Sequence, residues 1–149
     1  LQEKDLSVKH LRLAALLLPL ASLSIAQAGT IAKGNPLVGI WRVDVPGYQC
    51  SETYVVRDDG TLKVSSGDEI SESDLSISDK PSASGFYRWE DNLVKDNGKK
   101  DCTGEIMQVG TRSVTFIYMK DTGDQFMMCR EENLNACVGP FVRIADENT

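Results

Sequence analysis

The chain has 149 residues, a formal net charge of −6 and a single histidine, His10. Its acidic balance repels phosphate backbones, and with no run of Lys/Arg longer than Lys99-Lys100 it excludes nucleic acid as a partner. One compact domain accounts for the length once the first segment is set aside.

That segment, residues 1–28, reads as a secretory signal peptide. Lys4, Lys9, His10 and Arg12 precede the apolar run from Leu13 to Ile25, and Ala26-Gln27-Ala28 offers small residues at the positions a signal peptidase reads. The run is too short to span a bilayer core of about 30 Å, and Pro19 interrupts it. Gly29, not a cysteine, stands directly after the cleavage site, so no stable membrane anchor is expected after processing, and the product is expected to be periplasmic or secreted. Removing Lys4, Lys9, Arg12, Glu3 and Asp5 leaves 13 Lys/Arg against 20 Asp/Glu, a net charge of −7. A cationic protein is therefore a better macromolecular partner than an acidic one.

Residues 29–36 read as a flexible lead-in, residues 37–144 as a single domain, and 145–149 as a tail. Within the domain, short apolar runs alternate with turn chemistry, and none keeps a helical period. In chain order the candidate strands are 38–43, 48–57, 61–66, 84–90, a weak 92–95, 103–109, 113–120, 125–130 and 137–144. Asp58-Asp59-Gly60, Asn97-Gly98, Gly110-Thr111-Arg112 and Asp121-Thr122-Gly123-Asp124 supply hairpin turns. Eight or nine such strands with short connections predict an all-β, antiparallel, up-and-down barrel or a sandwich. Residues 65–84, "SSGDEISESDLSISDKPSAS", break the series and read as a long solvated or disordered surface loop, with a short helix at most around Ser71 to Leu75.

All four cysteines lie in the exported part, where an oxidising compartment favours two disulfides. Seven residues separate Cys129 from Cys137, a spacing a hairpin closes, which leaves Cys50 for Cys102. A four-cysteine zinc site would need paired short spacings that are absent, so no metal is expected.

Catalytic constellations are missing. His10 falls in the removed segment, so the mature chain has no Ser-His or Cys-His pair, and neither an enzyme nor a cofactor is expected. The triplet Asp121-Thr122-Gly123 occurs once and sits between strand-like runs as a turn, whereas aspartic protease chemistry needs two such carboxylates. "DNGKKD", residues 96–101, lacks the ligand series of a calcium loop. For paired-carboxylate glycoside cleavage, Glu52, Glu69, Glu72, Asp74, Glu90 and Glu105 have separations that sequence leaves open, and such residues normally line solvated strand faces.

Two resemblances bear on function. Gly39-Ile40-Trp41 at the start of the first strand, about eight strands of up-and-down character and Arg143 in the last strand resemble the lipocalin-like (calycin) barrel. That resemblance implies that Trp41 packs across the closed end of the barrel and Arg143 lies over its ring, with Gly39 opening the strand. The T-D-Y motif of lipocalins is absent, and "KDTGDQFMM" stands in its region. "SASGFY", Ser82 to Tyr87, is similar to the S-G-x-x-Y segment of periplasmic C-type lysozyme inhibitors, and that likeness implies partner contacts through Ser84 and Tyr87. The W-x-K-G expected after it is missing.

A binding module follows, either carrying a small apolar molecule or inhibiting a cationic cell-wall hydrolase. In a barrel, Phe116, Tyr118, Phe126 and Met128 would line the ligand pocket. On 113–120 the even and odd sets are both apolar enough to leave the inward face open, and a barrel this small also admits an interior filled by its own side chains.

Overall fold

The computed structural model describes residues 29–145, so residues 1–28, expected as a signal peptide, and residues 146–149 lie outside the described residues. Eight strands close into one antiparallel barrel in chain order: β1 (Gly39–Asp44), β2 (Ser51–Val56), β3 (Thr61–Ser66), β4 (Glu69–Ile77), β5 (Phe86–Asp96), β6 (Arg112–Met119), β7 (Gln125–Cys129) and β8 (Cys137–Ile144). The seam between β8 and β1 pairs Trp41 with Arg143. Closure removes the sheet edges that would otherwise stay unpaired. Two disulfides join Cys50 to Cys102 and Cys129 to Cys137, the pairing that spacing predicts.

One end is closed by the start of β1 and the chain before it. Trp41 is fully buried, donates from Nε1 to the Leu37 carbonyl at 2.8 Å, and meets Phe126 edge-on at 4.8 Å. Phe126 stacks on Phe141 at 4.5 Å. Arg143 covers the Trp41 ring at 4.1 Å and donates to the carbonyls of Val38, Pro36 and Gly123. Gly39 is needed beneath it: φ is +141°, and a Cβ would overlap the Arg143 guanidinium. Residues 29–36, expected as a flexible lead-in, instead pack here. Ile31 and Asn35 are buried, and Ile31 donates its N–H to the Asp58 carbonyl at 2.9 Å.

Three strand expectations need correction. The supposed acidic loop contains β4, nine residues whose alternate positions Glu69, Ser71, Ser73, Leu75 and Ile77 are buried. Its inward row is polar for half its length, so the usual apolar alternation is hidden. The runs 84–90 and 92–95 are one strand, β5, with a register shift opposite Glu72 and Ser73 that leaves Val94 unpaired. Residues 103–109 form no strand. Asp101 accepts from the backbone N–H groups of Thr103 and Glu105 and from the Thr103 hydroxyl, each at 2.8 Å, and this local turn outcompetes sheet pairing.

Candidate functional site

Antiparallel order places the β1–β2, β3–β4, β5–β6 and β7–β8 connections at the end of the barrel opposite Trp41. Toward this end the inward side chains change character. β4 runs from Glu69, Ser71 and Ser73 to Leu75 and Ile77, β6 from Ser113 and Thr115 to Ile117, and β2 from Glu52 to Val56. The apolar half is filled by Trp41, Leu75, Ile117, Phe126 and Phe141. The polar half encloses a cavity of about 230 Å³.

The segment 97–111 between β5 and β6 contributes Asp101, Met107 and Thr111 to this cavity. It is fixed by the Cys50–Cys102 bridge, by the Cys102 N–H donating to Ser66 Oγ at 3.0 Å, and by the Asp68 N–H donating to the Lys100 carbonyl at 3.1 Å. Ile106, Met107 and Val109 remain exposed on it.

Four carboxyl groups line the cavity, Glu52, Glu69, Asp91 and Asp101, and no Lys or Arg is among its lining residues. Glu52 accepts from Ser66 Oγ at 2.6 Å and from the Tyr54 hydroxyl at 2.8 Å. Burial and the neighbouring Glu52 charge push the Tyr54 phenol well above its usual range, which keeps it a donor. Asp91 accepts from Ser113 Oγ at 2.5 Å and Trp89 Nε1 at 3.2 Å, yet burial still raises its carboxyl. Burial opposes ionisation at Asp101 too, but donors from Thr103, Glu105 and Gly104 outweigh it and hold the group below its usual range.

Glu69 is different. Only 5% of the residue is exposed, and it faces a second carboxylate, Asp96, in place of a donor. Burial first, then Asp96, Asp101 and Glu52, push it up to about 7. Asp96 uses Oδ1 to accept from the Gly98 N–H at 2.6 Å, while its Oδ2 is buried with no partner. Thr115 Oγ1, on the cavity wall, is likewise buried and unpartnered. Among the described residues no group of His, Cys, Asp and Glu is arranged to hold a metal ion.

The residues expected to line a pocket separate. Met128 lines the cavity. Phe126 is spent in the closed-end core, and the odd set of β6 faces inward, which puts Phe116 and Tyr118 on the outer face, Tyr118 against Phe86 at 5.5 Å. Ser84 is exposed in the β4–β5 turn, at the closed end and away from the cavity, while Tyr87 pairs with Ile117 and packs toward the core. Of the six carboxylates considered for glycoside chemistry, Glu52 and Glu69 reach the cavity. The serine wall of β4 was missed, although "EISESDLSI" carries a strict alternation that places Glu69, Ser71 and Ser73 on one face.

Compared with models of known protein families, with curated proteins and with solved structures, the chain gives no match.

Proposed function

We propose that this domain is an exported, non-enzymatic binding protein of lipocalin-like architecture that carries a small molecule in the open half of its barrel. The observation that supports it is the unfilled polar half of the interior. Natural interiors are close-packed and pair their buried polar groups, so a hollow on whose wall Thr115 Oγ1 is buried without a partner supports a ligand site there. Leu62, Leu93, Trp89 and Met128 give the ligand an apolar wall, so the small molecule is apolar on one side and polar on the other. Two disulfides suit an oxidising compartment outside the cytoplasm. Native mass spectrometry of the protein purified gently from its own host tests this. A small-molecule adduct released on unfolding is expected, and a bare protein that accepts no small molecule contradicts the reading.

A second reading, inhibition of a cationic hydrolase such as a C-type lysozyme, is favoured by the exposed Ser84 turn and the acidic net charge. It uses the opposite end of the barrel. A stoichiometric complex with added lysozyme that is lost in Ser84→Arg would support it, whereas loss on blocking the cavity would not.

A further inference from the structure

We infer that the cavity takes a small organic cation, a primary ammonium or amidinium group on a compact apolar body, held by Glu69 and Asp91 with Glu52 beside them. The inference rests on the binding-protein reading and names its ligand class.

Charge is the first ground. Four carboxyl groups line a recess that contains no basic side chain. In a partly desolvated site an anion is repelled, and a neutral ligand leaves the negative charge uncompensated. The second ground is Glu69 itself. Glu52 and Asp91 each accept two side-chain hydrogen bonds, whereas the Glu69 carboxyl, buried on the cavity wall, is set against the Asp96 carboxyl, which lies outside the cavity lining. Two facing carboxylates need a proton or a cation between or beside them. Burial and Asp96 push the Glu69 carboxyl up to about 7, and an ammonium group in the cavity would favour its ionised form instead.

The third ground separates an organic cation from a metal ion. The carboxyl groups come from β2, β4, β5 and the 97–111 segment and are spread around the wall, and no metal-holding group forms among the described residues. Trp89, Leu93 and Met128 supply apolar surface that a hydrated metal ion would not use. Size is the fourth. The cavity, about 230 Å³, is below the usual range for drug-sized ligands and suits a small one, such as one ring with a charged arm.

Benzylammonium, benzyl alcohol and benzoate share a ring and differ in charge, so calorimetric titration of the folded protein with each reads the charge preference directly. Benzylammonium should bind saturably, with benzyl alcohol and benzoate weaker by about ten-fold or more. Glu69 faces Asp96 from β5, Asp101 from the 97–111 segment and Glu52 from β2, all carboxyls. Benzylammonium affinity should therefore rise between pH 6 and 8 as Glu69 loses its proton. Glu69→Gln should weaken it about ten-fold and flatten that profile, and Asp91→Asn serves as the second variant should Glu69→Gln not fold. Benzyl alcohol binding as tightly as benzylammonium would overturn the cation while leaving a binding protein. Failure of benzylammonium to bind would also overturn it, and the native adduct would then decide the broader reading alone.

Discussion

Glu69 shows how a single residue couples the fold to its surroundings. In the unfolded chain its carboxyl titrates near 4.5, and in the barrel near 7. Between those values the folded state holds a proton that the unfolded state has released, so raising pH favours unfolding. The stability is fully present below about pH 4.5 and is lost as pH rises through 7; Asp91, also raised, acts with the same sign. Asp59 and Asp101, both lowered, act with the opposite sign only at more acidic pH. The ligand-free protein should melt at a higher temperature at pH 5 than at pH 8. Glu69→Gln should reduce that difference and melt above the wild type at pH 8; an unchanged slope would show that Glu69 does not titrate in this window. At the closed end, Trp41→Ala should cost about 3 to 5 kcal/mol in denaturant unfolding, because it removes a fully buried indole that also seats Arg143. A loss under 1 kcal/mol would show that the brace is dispensable.

Among the elements, β4 and the segment 97–111 explain what the sequence hid. The ends of most strands were legible because Asp58-Asp59-Gly60 and Asp121 to Asp124 carry strong turn chemistry, and β1, β3, β6 and β8 fall close to their expected ranges. β4 was illegible because hydrophobic patterning assumes an apolar interior, and half of this interior is polar. The reverse error occurred at 103–109, where Ile106, Met107 and Val109 imitate a strand but sit exposed on a segment shaped by Asp101 and tethered at Cys102. The Gly39, Trp41 and Arg143 contact was anticipated only through the lipocalin-like resemblance, which sets an arginine of the last strand over a tryptophan of the first. The carboxylate site was not readable, since strand register brings together Glu52, Glu69 and Asp91 from distant positions. The tether carries its own prediction. On the chain-entropy model the bridge across 52 residues contributes about 4 kcal/mol and the bridge across 8 about 2.5 kcal/mol. Cys50→Ala should therefore lower stability and folding yield more than Cys129→Ala, and should also weaken any cavity ligand by loosening Asp101 and Met107. Equal losses would contradict the ranking.

At the scale of the whole molecule the barrel is divided between two tasks. Its closed half holds the indole, the stacked Phe126 and Phe141 and the Arg143 cap, a close-packed core that stabilises the fold. Its open half gives up apolar packing for hydroxyls and carboxyls around a recess, which supports the proposed ligand site. The decisive measurement is native mass spectrometry of Ser73→Leu beside the wild type, both purified gently from the same host. Ser73 is buried on the cavity wall and pairs with Leu62 and Leu93 on the neighbouring strands, so leucine there fills the recess with apolar volume. The wild type should carry a small-molecule adduct, and Ser73→Leu should lose it while keeping an equal or higher melting temperature. An adduct that survives in a folded Ser73→Leu protein, or a wild type that never carries or accepts one, would contradict a ligand cavity in the open half of the barrel.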